Sequence, residues 1–427
     1  SSIPSPASAI FSNNCSKREN RCSSSPLRSF HCVIWEQIFK RVDAVEGSRS
    51  QPISRRKKMI IAGSMLPRAA RVAGAFRHVG AAAMSSAASE PIKVGIIGAG
   101  RIGQVHAETL AYRCPDATAV RIVDFFPDVA AATAKKYGIA SSGTDYMDIV
   151  NDDSISAVWI CSPSSMHAEQ IVAAARKGKH IFCEKPLATE LKQVDDVIKV
   201  VQECGVKMML AFQRRFDPNF ARARKAVDDG TVGDPYTFHL TSRDPAPPPV
   251  DYILKSGGLH NDMAIHDFDI ARFLMKSECV KVTAVGACRV DPKIGSEGGD
   301  IDTAMTLLEF ENGAFGVVDN CRKSPQGYDQ RVEVFGSKGQ VSFSNNFPNA
   351  LEIADDTSVR RDLPLNFFMD RYMDAYRNET IQFVDAVVND KTPPTSGHDG
   401  RAAMVIALAA KKSLQEGRPV LTSEIQP

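Results

Sequence analysis

Ile92-Lys93-Val94-Gly95-Ile96-Ile97-Gly98-Ala99-Gly100-Arg101-Ile102-Gly103 is a short apolar run that stops on three spaced glycines and passes into a helical pattern. A run of that length bounded by glycine reads as a buried strand, a tight turn and the start of a helix. Each glycine then has a separate purpose. Gly98 permits the turn, Gly100 lets the backbone approach a pyrophosphate, and Gly103 allows the helix to pack closely on the strand. Arg101 and Ile102 occupy the intervening positions and are expected beside the same ligand. Its phosphates are expected at the helix N-terminus, where unpaired N–H groups and the dipole favour anions.

The strands that follow extend this reading. Val120 to Val123 ends in Asp124, about 20 residues beyond the last glycine, where a carboxylate accepts hydrogen bonds from an adenosine ribose and repels a 2′-phosphate. Phe125 and Phe126 follow in place of an arginine, so NAD is favoured over NADP. The alternative for Asp124 is a helix cap ahead of Pro127. Two further apolar runs, Ala157 to Cys161 and His180 to Cys183, end in Ser162-Pro163 and Glu184-Lys185-Pro186. Parallel strands place their carboxyl ends toward the ligand, so Ser162, His167, Glu184 and Lys185 are expected on the cofactor side. Helical spacing over Ile171 to Ala175 and Val194 to Val201, and a last strand from Lys207 to Phe212, predict a doubly wound α/β Rossmann domain over residues 91–213.

Residues 214–427 have another rhythm. A helix is predicted over Asn219 to Val227. Strands are predicted at Tyr236 to Ser242, Val280 to Val290, Asp302 to Phe310, Ala314 to Asn320, Asp329 to Phe335 and Gln340 to Phe343. Glu311-Asn312-Gly313 and Ser337-Lys338-Gly339 are hairpin signals between them. The expectation is an α+β substrate-binding and oligomerisation domain built on a mostly antiparallel, open-faced sheet. Between its first two strands, Gly257-Gly258-Leu259-His260-Asn261-Asp262-Met263-Ala264-Ile265-His266 reads as one helix opened by glycines. Asp262 and His266 stand four positions apart, so both side chains should share a face. A histidine suits removal of a hydroxyl proton near neutral pH, and Asp262 is expected to orient the imidazole and favour its protonated form. Asp267, Asp269 and Arg272 are expected in a solvated or interdomain ion network.

Glu184-Lys185-Pro186 downstream of the glycine turn resembles the glucose-fructose oxidoreductase, inositol dehydrogenase and rhizopine-catabolism (Gfo/Idh/MocA) family, and the likeness covers residues 92–421. The Asp262/His266 pair is most similar to its inositol dehydrogenase branch. The resemblance implies Lys185, Asp262 and His266 as the catalytic set, with Lys185 reaching the substrate hydroxyl and the nicotinamide ribose. It also implies a substrate pocket that includes Arg215, Arg243 and Tyr328. The implied reaction is NAD-dependent oxidation of a secondary hydroxyl of a cyclic polyol, with myo-inositol to scyllo-inosose the leading case. Pro247-Pro248-Pro249 departs from the inositol pattern, which leaves another sugar or diol as an alternative substrate; a nicotinamide-binding regulator without turnover is the alternative of a different class.

Composition bounds these readings. The chain has 427 residues, 43% of them apolar, enough for two domains and a tail. A net charge of +2 points to neither nucleic acid nor an anionic membrane surface. Ten cysteines without a C-x-x-C pair read as buried thiols, and no metal site is expected. No apolar run is long enough to span a membrane. Residues 1–90 are rich in Ser, Arg and Pro and are expected to form no folding unit. From Ser54 to Ser89 there are basic residues and no acidic ones, the composition of an organelle transit peptide. A mitochondrial location follows if that segment is a presequence, and a cytoplasmic one if it is a plain tail. Translation from Met59 or Met65 would remove the residues before them. The open sheet face predicts a homodimer or homotetramer.

Overall fold

The computed structural model describes residues 90–427, and the expectations for the N-terminal segment lie outside the described residues. The first sheet has six parallel strands. They are β1 (Ile92–Ile97), β2 (Ala117–Val123), β3 (Ser141–Gly143), β4 (Ala157–Ile160), β5 (His180–Glu184) and β6 (Met208–Ala211), in the order β3-β2-β1-β4-β5-β6. The sequence gives no sign of β3, because Ser141-Ser142-Gly143 has no apolar run; its strand geometry comes from pairing with β2. Helices α1 (Arg101–Tyr112), α2 (Pro127–Tyr137), α3 (Ser164–Arg176) and α4 (Leu191–Cys204) connect the strands. The order steps from β1 to β2 on one side and to β4 on the other. That places a topological switch at the carboxyl end of β1, where such sheets bind ligands.

After α5 (Pro218–Asp228) the chain builds β7 (Pro235–Arg243). Helix α6 (Ile265–Met275) precedes β8 (Cys279–Ala287), β9 (Thr303–Phe310), β10 (Phe315–Cys321), β11 (Asp329–Gly336) and β12 (Gly339–Phe343). The two hairpin signals fall between β9 and β10 and between β11 and β12, both antiparallel pairs. A small exposed hairpin, β13 (Glu352–Ala354) with β14 (Val359–Arg361), follows. The last strand is β15 (Val420–Leu421), which closes the order β12-β11-β7-β10-β9-β8-β15. Only β7 and β10 run parallel, so the sheet is mixed but mostly antiparallel.

Two late helices return to the first sheet. On α7 (Met373–Val388), Phe383 is fully buried, with its ring 5.3 Å from Trp159 of β4 and 5.8 Å from Phe182 of β5. Helix α8 (Gly397–Glu416) opens with a capping box between Ser396 and Asp399. Its Ala403, Met404 and Val405 join a core with Leu210 of β6 and Val194 and Ile198 of α4, while Ile406, Ala409 and Ala410 pack into the core beneath the second sheet. A single helix therefore serves both layers. Among the described residues no helix is long and apolar enough to cross a membrane, and the seven described cysteines are all free. Phe383→Ala is expected to lose about 3–5 kcal/mol in urea unfolding, as deletion of a core phenylalanine does. A loss below about 1 kcal/mol would mean that α7 is not a fixed cover of the first sheet.

Candidate active site

The glycine turn is closed by backbone contact. A Cβ on Gly98, at φ +101°, would lie 2.6 Å from the Cys161 carbonyl oxygen, and one on Gly103 would lie 2.0 Å from the Gly98 carbonyl oxygen. Gly100 differs, since a Cβ there would meet nothing within 4 Å. Helix α1 begins immediately afterwards with no side-chain cap. Its first N–H groups are thus left for a ligand, and the open space over Gly100 fits a pyrophosphate. Asp124 accepts the Ala99 N–H at 2.7 Å and the Phe126 N–H at 2.9 Å, so it braces the turn from below instead of capping α2. Arg101 projects away, its guanidinium 5.3 Å from the Phe367 ring. These features fit a dinucleotide.

Across the switch point the two strand-end motifs are tied together by His167. Its Nδ1 lies 2.7 Å from the Pro186 carbonyl oxygen and its Nε2 lies 2.9 Å from that of Ser162. Both ring nitrogens are spent on backbone and the ring is buried, so His167 shapes the turn rather than facing a cofactor. The Ser162 hydroxyl donates to Gln170 at 2.6 Å, and Glu184 points back toward His106, 2.9 Å away. Lys185 alone projects forward. Its Nζ donates to the Asp262 carbonyl oxygen at 3.0 Å and lies 3.6 Å from Asp262 Oδ1.

Asp262 and His266 do not form the pair that their spacing suggests. The segment is not one helix. A short helix ends at Asp262, Met263 and Ala264 make a turn, and α6 starts at Ile265. At the break the Ala264 N–H donates to the Leu259 carbonyl oxygen at 3.0 Å, five residues back, which changes the helical phase between the two side chains. The Asp262 carboxylate instead accepts the Tyr252 hydroxyl at 2.9 Å and faces Arg322 at 3.4 Å. Among the described residues His266 Nδ1 is buried without a hydrogen-bond partner. Burial, then Lys185 and Arg214, push its pKa well below the usual histidine value, so the resting imidazole is neutral. The expectation that Asp262 orients the ring and favours its protonated form is corrected on both counts.

Sequence reading missed Arg322 and Tyr252, two groups that surround Asp262. Arg322 is 1% exposed and sits just beyond the end of β10, and Asp244 follows β7. The Asp244 carboxyl is pushed up to about 6, chiefly by burial, against the pull of Arg322. A charge at a strand end is a faint sequence signal for either residue. Tyr252 carries none.

Of the three residues expected to complete the pocket, Arg215 is turned away. Its Nε donates to Asp269 at 2.8 Å and its NH2 to Asp399 at 2.8 Å. Its neighbour Arg214, buried, pairs with Asp267 and donates to the Ser242 hydroxyl at 3.1 Å. Asp267 and Asp269 are therefore buried partners in a structural ion network, not solvated ones. Arg243 pairs with Asp319 and, at 3.4 Å, with Asp329. Tyr328 is buried within the field of Arg214 and Asp244 and packs edge-on to Tyr372. Neither Arg243 nor Tyr328 is in hydrogen-bonding contact with Lys185, Asp262 or His266.

Comparison with known proteins follows the same division. Residues 92–212 match the model described as "oxidoreductase family, NAD-binding Rossmann fold", and residues 220–342 match the GFO/IDH/MocA C-terminal domain. The chain is 42% identical to the myo-inositol 2-dehydrogenase of Thermotoga maritima, over 78% of this chain and 99% of the relative. It is 44% identical to the inositol 2-dehydrogenase of Rhizobium meliloti, over 77% and 98%. The crystal structure of scyllo-inositol dehydrogenase from Lactobacillus casei with NAD(H) and scyllo-inositol aligns with a TM-score of 0.73 at 29% identity, covering 78% of this chain and all of that one.

Arg215→Ala is expected to cost about 1–3 kcal/mol in stability, because Asp269 and Asp399 lose their shortest partner and keep only Arg272 among the arginines, at 3.8 Å and 3.3 Å, while leaving KM unchanged in the folded fraction. A selective rise in KM at wild-type stability would return Arg215 to the pocket.

Proposed function

Because this chain belongs to the Gfo/Idh/MocA oxidoreductase family, we propose that it oxidises a secondary hydroxyl of a cyclic polyol with NAD, converting myo-inositol to scyllo-inosose. The observation that carries this reading is the meeting of Lys185 with Asp262, beside a neutral His266, at the carboxyl end of β5. When bound, NAD supplies the hydride acceptor. The Gly98 to Gly103 turn and Asp124 hold its pyrophosphate and ribose. Lys185, steadied by the Asp262 carbonyl, donates a hydrogen bond to the reacting oxygen. His266 takes the hydroxyl proton; its burial and cationic neighbours keep it unprotonated and ready to do so.

A ring bearing several hydroxyls is selected by a pocket whose own polar groups would be left unpaired by a poorer substrate. Tyr252, Asp262, Arg322 and Asp244 supply that mixture of donors and acceptors around Lys185, with the Asp244 carboxyl pushed up to about 6 by burial. The relatives named above act on inositols by name, which supports the choice of substrate class.

The outer face of the second sheet carries an apolar ladder. Val285 is paired with Met305, Leu307 with Val317, and Phe315 extends the row at its end. Val285, Met305 and Phe315 are about half exposed or more. Covering such a face is the usual basis of a homodimer or homotetramer, and both remain part of the proposal.

Steady-state NADH formation with myo-inositol, scyllo-inositol, glucose and xylose, with NAD and NADP in parallel, tests the reaction. Turnover confined to an inositol with NAD is expected; NADP-dependent turnover of an aldose would overturn the substrate assignment. Lys185→Ala and His266→Ala should each lower kcat by about 10²–10⁴ while NAD binding persists. The acid limb of the kcat/KM profile should lie below the ordinary histidine value of about 6.5, since a base with a lowered pKa stays unprotonated further into acid. Met305→Lys should shift light-scattering mass toward the monomer, and an unchanged mass would move the interface elsewhere.

A further inference from the structure

Behind the catalytic turn lies a group of side chains that the reaction above does not use. Glu184 ends β5 and points away from Lys185, toward His106 on α1. The other ring nitrogen of His106 lies 3.0 Å from the Thr380 hydroxyl on α7. Beside Thr380, Glu379 is 0% exposed, and among the described residues neither of its carboxylate oxygens has a hydrogen-bond donor. One donor atom from each of His106, Glu184 and Glu379 falls within 4.8 Å of the others. Phe182 and Tyr376 flank the histidine ring. Tyr376, on the same helix, and Cys161, after β4, are the other titratable groups within the field of both carboxylates.

Two carboxylates this close and this dry cannot both carry charge. Among the described residues no arginine or lysine joins the group around Glu379, so the charge is removed by a proton or by a metal ion. A proton suffices. With His106 as the Nε2–H tautomer, its ring donates to Glu184, its Nδ1 accepts the Thr380 O–H, and the one carboxyl without a donor becomes a donor itself. Burial first, and Glu184 second, hold the Glu379 carboxyl well above its usual range.

We propose that Glu379 is a positioning residue that keeps a proton directed at the Glu184 carboxylate and thereby fixes, from the inner side of the sheet, the turn from which Lys185 reaches the substrate. The contact joins α1, β5 and α7, so the glycine-turn helix and the catalytic lysine share one support. The catalytic half of this inference rests on the role of Lys185; the protonation of Glu379 does not.

Three variants and a metal assay test it. In Glu379→Gln the amide replaces the acid as donor, and kcat should stay within about twofold of wild type. Glu379→Leu removes the donor, and kcat should fall by about 10- to 100-fold with little change in the KM for NAD, the effect of a displaced catalytic group. Equal losses in Gln and Leu variants would overturn the donor role. The infrared spectrum of the wild type at neutral pH should contain a protonated-carboxyl band that is missing in Glu379→Gln, and its absence would overturn the proposal even if Glu379→Leu does not fold. Linkage gives an independent readout. The folded protein retains a proton that the unfolded chain releases, so this site's contribution to stability falls as pH rises above the ordinary carboxyl range. The Tm of Glu379→Gln relative to wild type should therefore climb between about pH 5 and about pH 8. A constant difference would sink the assignment. One equivalent of Zn²⁺ or Mn²⁺ bound by wild type and lost in Glu379→Gln, read by plasma mass spectrometry after dialysis, would replace the proton by a metal. Unchanged turnover in Lys185→Ala would remove the catalytic consequence while leaving the infrared and stability results intact, which separates the two failures.

Discussion

The close approach of three backbone segments at the carboxyl end of β1 is the constraint on which the rest depends. The Gly98 turn, the start of α1 at Gly103 and the Cys161 carbonyl meet with no room for a Cβ. That contact sets α1 against the sheet at the angle that delivers His106 to Glu184, and it brings the Ala99 N–H over Asp124. The mouth of the site is therefore built from main chain, which has fewer ways to rearrange than side chains do. The one glycine in the series with open space above it is the one over which a phosphate would sit.

The chemistry is surrounded by buried charge, and the pairs divide the labour. Arg214 with Asp267, and Arg215 with Asp269 and Asp399, are closed ion pairs whose partners come from different elements, so they hold α6 against the turn after β6 and against α8. Desolvation makes such pairs poor sources of net stability, but each costs heavily when half of it is removed. Around Asp262 the arrangement is looser. Arg322 approaches at 3.4 Å and Lys185 at 3.6 Å, longer than the closed pairs, so these donors retain capacity for a substrate hydroxyl. Neutral His266 stands among these charges because cations, rather than Asp262, are its neighbours.

Much of this was legible in the residues. The glycine turn, five of the six parallel strands and both hairpins follow from local pattern, since strand burial and turn chemistry are short-range properties, whereas the joining of Lys185 with Asp262 was implied by the family resemblance. What was hidden depended on distant partners. The helix break at Met263 looks like ordinary helical spacing, and a side chain four positions along changes phase once a wider turn is inserted between. Arg214 and Arg215 are adjacent and chemically equal; which one faces which carboxylate is decided by α6 and α8. Glu184 sits at the expected strand end and His167 in the first turn of α3, yet they serve His106 and the backbone. Glu379 lies in an unremarkable amphipathic stretch, and its significance arises only when α7 is laid against α1.

The return of α7 and α8 to the first sheet has a consequence for biosynthesis. All six strands of the nucleotide-binding sheet have been synthesised once residue 211 has emerged, but Trp159, Phe182 and Leu210 then still lack the covers supplied by Phe383 and Met404. Domains that close upon themselves fold as they leave the ribosome. This one must wait until the last helix has been translated. For the intervening half of synthesis it presents an uncovered apolar surface, the kind of surface that favours aggregation over folding.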